Sequence, residues 1–484
     1  MGQSDIQTYD VDAVNSAENR QLYKKREPIY PKLVHGRFRF IKWVLLFVTL
    51  GIYYLLPWLR WDRGPGQPDQ AVLVDFAGQR FYFFAIEIWP DELYYVTGLL
   101  VLGALALFFV TALFGRLWCG YTCPQTVWTD LFIAVERFVE GDRNKRLRLA
   151  KQKWNVDKIT KKIIKHSIWL LIAAMTGGAW VLYFHDAPTV IQNLFRGTAP
   201  MTAYLFIAIL TFTTYTLAGI MREQVCVYMC PWPRIQAAMT DEETFSIGYY
   251  FGRGEPRGKH KKNQNWEGRG DCIDCKACVA ACPMGIDIRD GDQLECINCG
   301  LCIDACDDIM KKIDRPVGLI AYGSDYREGG KGNTHRLPRL FRSRTIFYGV
   351  LILIVSAIMA YGLGNRKFVE LTVERDRAPA YTILSDGSIR NAITVSILNK
   401  NPQETEFAIK ITGPEGLKTA AIGYEVVDNL ITVPISGEDM QKTRMFLTLP
   451  AEVYQSGDRD IKLELTEIET GDTITKELTL IGRE

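Results

Sequence analysis

Eight cysteines between residues 272 and 306 constrain this chain more than any other feature of its sequence. They read C-x2-C-x2-C-x3-C-P and, after thirteen residues, C-x2-C-x2-C-x3-C-D. Three cysteines spaced by two residues can each reach a different iron of one cubane, and in the two-cluster ferredoxin arrangement the fourth ligates the other cluster. The pattern therefore predicts two [4Fe-4S] clusters. The expected ligands are Cys272, Cys275, Cys278 and Cys306 for the first cluster, and Cys296, Cys299, Cys302 and Cys282 for the second.

Two other uses of paired cysteines fit the sequence less well. Structural zinc sites with four ligands come as two pairs and do not need triplets. Disulfides require an oxidising compartment, and all twelve cysteines of the chain lie in short motifs, so none is left over for an ordinary disulfide. The iron–sulfur interpretation is therefore preferred.

Five apolar segments predict an α-helical membrane domain, because each is about as long as the ~20 residues that a bilayer requires. They cover residues 40–59, 93–114, 163–183, 202–221 and 345–363. Charged residues interrupt a further apolar run at 72–88, which predicts a short hairpin or interfacial element instead of a span.

These segments divide the chain into consecutive parts. We expect an N-terminal tail at 1–39, a four-span membrane domain at 40–221, a segment at 222–344, the fifth span at 345–363 and a separate domain at 366–484. The segment 222–344 contains the eight cysteines, and the inserted ferredoxin-like domain, of α+β type, is expected at about 262–320.

The short loops predict an orientation. Basic residues crowd the loop 115–165, whereas the loops on the other side carry only Arg60, Arg63, Arg80 and Arg196. By the positive-inside rule the N-terminus, the loop 115–165 and the ferredoxin domain are expected in the cytoplasm, and the C-terminal domain in the periplasm. Cytoplasmic thiols stay reduced, which suits iron–sulfur ligands. The net charge of +2 gives no reason to expect a nucleic-acid partner.

The C-terminal domain has the pattern of an all-β fold. Short segments alternate apolar and polar residues, and turn signals such as Asp386-Gly387 and Gly413-Pro414 separate them. This spacing predicts an antiparallel, immunoglobulin-like β-sandwich. Residues 366–484 contain neither cysteine nor histidine, so these residue types cannot form a soft-metal site there.

The remaining four cysteines form a duplicated motif. Cys119 and Cys123 lie in C-G-Y-T-C-P at 119–124, and Cys226 and Cys230 lie in C-V-Y-M-C-P at 226–231, each just after a pair of spans. If one helix continued through the motif, a spacing of four would place both thiols of a pair on one face. Two such units packed side by side would bring four thiols together at the membrane surface.

The residues leave the role of these four thiols open. They could bind Cu(I), for which thiolates are preferred ligands, hold a third cluster, or cycle between dithiol and disulfide. They could also be small buried apolar side chains. The repetition of Cys, Tyr, Cys and Pro favours a functional role.

Taken together, these motifs resemble the cbb3-type cytochrome c oxidase accessory proteins, the CcoG, FixG and RdxA family. The resemblance rests on the paired CxxxCP motifs, the R-G-E-P-R-G run at 253–258, and the two cysteine runs with Asp307 in the place where proline is usual. It extends from the first span to the C-terminal sandwich.

The resemblance implies a polyferredoxin of the bacterial cytoplasmic membrane that helps to mature a copper- and haem-containing oxidase. Its implied activity is reduction of Cu(II) to Cu(I), with the CxxxCP cysteines as the catalytic and copper-binding groups. The implied partners are oxidase subunits or copper chaperones, an unidentified cytoplasmic electron donor, and membrane lipid.

Two alternatives remain open at this point. One is a quinol-linked electron-transfer subunit, as in the nitrate and nitrous-oxide reductase accessory proteins of NapH and NosR type, which share this layout. The other is a non-enzymatic scaffold for oxidase assembly, in which the clusters serve only the fold.

Overall fold

The computed structural model describes residues 7–15, 27–64, 67–241, 243–259, 266–324, 341–376, 379–401, 403–450, 452–453 and 459–481. The predicted start of the ferredoxin domain, residue 262, lies outside these ranges. The chain divides into two compact units, Met1–Met359 and Ala360–Glu484.

Thirteen α-helices occur in the described residues, all of them at or before residue 364. They are α1 Arg37–Leu55, α2 Tyr94–Phe114, α3 Leu117–Tyr121, α4 Pro124–Glu140, α5 Arg143–Lys151, α6 Val156–Val181, α7 Ala187–Arg196, α8 Met201–Thr214, α9 Trp232–Met239, α10 Phe251–Gly254, α11 Ala277–Ala281, α12 Leu301–Lys312 and α13 Ser343–Gly364. Two π-helices, Tyr215–Met221 and Val225–Met229, follow α8.

Five of the described helical segments are long and apolar enough to cross a membrane. They are Arg37–Trp58, Pro90–Phe114, Val156–Val181, Met201–Met221 and Ser343–Gly364. Their apolar side chains point outward to a large extent, as expected where lipid rather than protein covers a helix. The prediction of about five spans is confirmed, and the chain is a multi-pass membrane protein.

A small antiparallel sheet lies between the first two spans. It consists of β1 Val72–Asp75, β2 Arg80–Phe83 and β3 Ile86–Ile88, paired in that order. The charges at Asp75 and Arg80 face each other at the first turn. This is the hairpin that the interrupted apolar run predicts.

The cysteine-rich part of the chain has its own core. Strands β4 Ser246–Tyr249 and β5 Ile320–Gly323 pair antiparallel and enclose the segment that carries α11 and α12. Buried Ile, Val and Ala side chains fill the space between them. The R-G-E-P-R-G run packs here, because Arg253 binds Asp271 through Nε at 2.6 Å.

The described residues of the N-terminal tail pack against this core. Tyr9 and Val34 are buried in it. The backbone N–H of Tyr9 donates to Cys275 at 3.0 Å, and that of Lys32 donates to Ala280 at 2.8 Å. The described part of residues 1–39 therefore covers the first cysteine run.

The second unit is a β-sandwich, as predicted. Its strands are β6 Val369–Arg375, β7 Thr382–Ile383, β8 Ile389–Asn399, β9 Thr405–Thr412, β10 Lys418–Ala421, β11 Leu430–Ile435, β12 Asp439–Leu449, β13 Arg459–Glu467 and β14 Thr473–Leu480. One sheet has the order β10-β12-β8-β6 with β7 beside β8, and the other has the order β11-β9-β13-β14. Alternate residues of each strand face the core, as the burial along β11 shows.

Candidate functional site

The four cysteines predicted to hold the second cluster line one cavity. This small cavity is bordered by Cys282, Cys296, Cys299 and Cys302, with Cys278 and the apolar side chains of Ile247, Met284, Ile286, Ile288 and Ile297. Burial raises the pKa of Cys296 to about 12, and the neighbouring Cys299 and Cys282 add to this effect. Cys282, the last cysteine of the first run, thus lies with the cysteines of the second run, as the crossed arrangement requires.

The first set of cysteines also comes together across the two runs. Burial raises the pKa of Cys306 well above its ordinary value, and the nearby thiols of Cys278, Cys275 and Cys272 raise it further. Cys306 lies on α12, whereas the other three precede or lie on α11. Each cluster site therefore takes one cysteine from the other run.

The backbone of the two runs has the same local shape. Asp274 and Asn298, which precede the second cysteine of each run, both have a positive φ, of 52° and 53°. Lys276 and Gly300, which follow that cysteine, have φ of 54° and 75°. Asn, Asp and Gly are the residues that adopt this left-handed region most readily. The two cysteine loops thus have matching backbone conformations, as expected for two equivalent sites.

The donor sets fit iron–sulfur clusters. A cubane needs each thiolate at a different iron, and the four cysteines around one cavity at the second set are placed to supply them. The two sites are called the first and second cluster sites below.

Arg289 brings a positive charge to the first cluster site. It is buried, donates to Asp287 and Asp274, and lies within electrostatic range of Cys278. These contacts raise its pKa, although burial alone would lower it. A fixed cation beside thiolate ligands offsets part of the negative charge of a bound cluster.

Each CxxxCP motif bends between its two cysteines. Cys119 lies on α3, which ends at Tyr121, and Cys123 is an extended residue ahead of Pro124 at the start of α4. Cys226 lies on the second π-helix, and Cys230 is again extended. The condition of one continuous helix through the motif is therefore not met, because a proline cannot continue the hydrogen bonding of the helix before it.

The four motif cysteines nevertheless lie together, and we call them the thiol quartet. Burial raises the pKa of Cys119 and of Cys226 to about 12 in each case. The other thiols add to this, since Cys119 is within electrostatic range of Cys123 and Cys230, and Cys226 of all three others. Cys119 donates from Sγ to Oε1 of Gln236 at 3.2 Å. In the described structure the quartet unites two motifs about a hundred residues apart in sequence.

The thiol quartet directly adjoins the second cluster site. Gly120, between the two cysteines of the first motif, packs against the backbone of the Cys296–Cys299 loop: a Cβ there would lie 2.5 Å from the carbonyl oxygen of Ile297. The next residue, Tyr121, donates from its hydroxyl to the carbonyl of Cys299 at 3.1 Å. The first motif and the second cluster site therefore touch through their backbones.

A buried ion cluster braces the second motif. Arg222, four residues before Cys226, forms a salt bridge with Glu136 on α4, the helix that begins just after Cys123. Burial alone would raise the pKa of Glu136, but Arg222 and Arg146 together lower it to about 2. Both motifs are thus tied to one helix.

Comparison with known proteins agrees with this geometry. A family model described as a 4Fe-4S dicluster domain matches residues 221–325, and one described as a 4Fe-4S binding domain matches residues 96–146. A third model, the Ig-like fold at the C-terminal of FixG, matches residues 359–483. The first two matches include the thiol quartet as well as the eight ferredoxin cysteines.

Whole-length relatives decide the family. The chain is 48% identical to the nitrogen fixation protein FixG of Rhizobium meliloti, over 94% of this chain and 93% of the relative. The chain belongs to the FixG and Rdx family. Protein RdxB of Cereibacter sphaeroides is 48% identical over 96% of this chain and 98% of its own length, and protein RdxA of that organism is 51% identical over 89% and 91%. This member of the FixG and Rdx family is a membrane iron–sulfur electron-transfer protein.

Sequence reasoning missed the residues that join the parts of the site. The sequence did not predict contacts with the cysteines or their loops for Gly120, Gln236 and Arg289. Only Gly120 could have been found from sequence, because a glycine inside a motif indicates close packing. Arg116 stands beside the first motif in sequence, but nothing there shows that it reaches the second cluster site.

Proposed function

We propose that this protein reduces Cu(II) to Cu(I) for maturation of a cbb3-type cytochrome c oxidase. The observation that carries the proposal is the contact between the thiol quartet and the second cluster site, at Gly120 and Tyr121. A thiol-rich surface beside a one-electron carrier has the two properties that the reaction needs: electrons, and ligands that prefer the product.

The proposed orientation places both cluster sites and the quartet on the cytoplasmic side of the bacterial inner membrane, and the sandwich in the periplasm. Basic residues in the loop 115–165 support it. When bound, the two [4Fe-4S] clusters supply single electrons at low potential. The electron source is a cytoplasmic reductant.

Cu(II) is the substrate: it gains one electron, becomes Cu(I) and leaves toward a copper chaperone or an oxidase subunit. The Sγ atoms of the thiol quartet receive the ion, and each thiol that binds it gives up its proton.

Two side chains prepare the thiols for this role. Oε1 of Gln236 accepts a hydrogen bond from Sγ of Cys119. Nε2 of the same side chain donates to Oγ1 of Thr111 at 3.3 Å. This fixes the direction of the thiol. The charge of Arg116 opposes the rise in the pKa of Cys119 that burial causes, and so favours the thiolate that binds metal.

The test uses full-length protein purified without oxygen. The expected content is about eight irons per chain, from two four-iron clusters, and addition of Cu(II) with a Cu(I) chelator should reoxidise the clusters and form the coloured Cu(I) complex. The variant C119S/C123S should keep its iron and lose Cu(I) formation.

Other outcomes point to other functions. Clusters that ignore Cu(II) but are reoxidised by a quinone would replace this proposal with a quinol-linked function. Unchanged Cu(I) formation by C119S/C123S would show that the quartet is not the copper site. Oxidase assembly that survives in folded variants without clusters would indicate a scaffold.

A further inference from the structure

We infer that Arg116 is a positioning residue that joins the second cluster site to the thiol quartet, and that its charge raises the reduction potential of the second cluster relative to the first. The inference rests on the electron-transfer part of the proposed function and does not depend on copper. It makes the second cluster the one from which electrons leave.

The contacts of Arg116 span three parts of the protein. Its Nη1 atom donates to the carbonyl oxygens of Leu294 and of Cys296, the latter at 3.1 Å. Its Nη2 atom donates to the carbonyl oxygen of Pro233, two residues after the proline of the second motif. Arg116 itself precedes the first motif. One planar side chain, placed just before the first motif in sequence, therefore binds a ligand loop and the segment that follows the second motif.

The charge of Arg116 lies where it can act on both sites. The side chain is buried, with the residue 7% exposed, and it is within electrostatic range of Cys296 on one side and of Cys119, Cys226 and Cys230 on the other. Its hydrogen bonds go to neutral carbonyl groups and not to a carboxylate. The positive charge is therefore not cancelled by a paired anion among these contacts.

The sign of the effect follows from electrostatics. A cluster gains negative charge on reduction, and a buried cation stabilises the more negative state more strongly. The second cluster, with Arg116 at its ligand Cys296, should be easier to reduce than it would be without this charge. Electrons would then collect at the cluster that adjoins the quartet.

The first cluster site has a different cation, which provides a matched control. Arg289 is 4% exposed, about as buried as Arg116, and its charge reaches Cys278 and Cys275. Unlike Arg116, it is bound to the carboxylates of Asp287 and Asp274. Its removal should act on the first cluster.

The experiment is an anaerobic redox titration of the full-length protein, followed by EPR of the reduced clusters. In R116Q one of the two cluster signals should shift to lower potential while the other stays in place. R116K lacks the planar guanidinium fork but keeps the charge, so its potentials should stay near those of the native protein. R289Q should shift the other signal.

Several results would overturn the inference. They are equal potentials in R116Q and the native protein at full iron content, a shift of both signals together, or the same shift in R116K as in R116Q. If R116Q fails to retain iron, R116K provides the test. Lysine keeps the positive charge, so a lowered cluster potential in R116K could not come from loss of charge and would contradict the inference. Failure of copper reduction leaves these titrations unaffected, so the two proposals are tested separately.

Discussion

Replacing Gly120 with alanine should loosen the contact between the first CxxxCP motif and the second cluster site. The added methyl group would lie 2.5 Å from the carbonyl oxygen of Ile297 and 3.1 Å from both the carbonyl oxygen of Asn298 and the Cα of Cys299. All three are backbone atoms, which cannot rotate away as a flexible side chain could. The motif and the loop must therefore move apart.

The size of the effect can be worked from these distances. Carbon–oxygen contacts begin at about 3.3 Å, so the backbones must separate by about 0.8 Å. Overpacking of this kind costs about 1–3 kcal/mol, whereas alanine gains about 1 kcal/mol over glycine in a helix. Because all the clashing atoms are backbone, the steric cost lies in the upper part of this range, and the net loss is about 1–2 kcal/mol, which makes local opening about 5–30-fold more frequent.

Amide hydrogen exchange measures this opening directly, because local opening controls exchange of protected amides. In G120A, residues 296–299 should exchange about 5–30-fold faster than in the native protein. The control is G103A on α2, where an added Cβ meets no atom within 4 Å and exchange at 296–299 should not change. Equal protection in G120A and the native protein would refute the steric argument.

Other parts of the site give further predictions. Replacing Glu136 with glutamine should destabilise the protein by about 3–5 kcal/mol, because it leaves buried Arg222 without the anion of its salt bridge and Arg146 with only its longer contact to Glu140; thermal unfolding measures this, with exposed Glu469 to glutamine as the control. The lowered pKa of Glu136 means that its contribution is complete above about pH 4.5 and is lost as pH falls toward about 2; a native-like acid profile in E136Q would contradict this. Asp130 to asparagine should cost a similar amount, since Asp130 binds Arg39 through both oxygens at 2.9 Å. Removing iron with a chelator should increase proteolysis within 266–324 but leave the sandwich 379–481 resistant, because only the first depends on ligand loops.

The parts of the fold that repeat a local rule could be predicted from sequence. The cysteine spacing predicts two cluster sites, the apolar segments predict five spans, and alternation after residue 366 predicts the sandwich. Each signal is carried by neighbouring residues, so no knowledge of distant contacts is needed.

The parts that depend on distant contacts could not be predicted. Nothing near Arg116 in sequence indicates that it binds the carbonyl of Cys296, and nothing near Tyr9 indicates that it is buried against Cys275. The bend in each CxxxCP motif follows from proline, but the π-helix at Cys226 does not follow from any residue type. Such features arise from packing between segments, which a pattern within one segment does not encode.

The hydrogen bonds of the N-terminal residues set an order for biogenesis. Asn15 donates from Nδ2 to the carbonyl of Met284, 269 residues later in the chain. At about 5–20 residues per second, roughly 13–50 seconds pass between synthesis of these two partners, during which four spans enter the membrane. The N-terminal segment that covers the first run of cysteines is therefore synthesised before that run. It can pack over the run after iron has been inserted. The described N-terminal residues, although synthesised early, can take their place in the ferredoxin core only after residue 284 has been made.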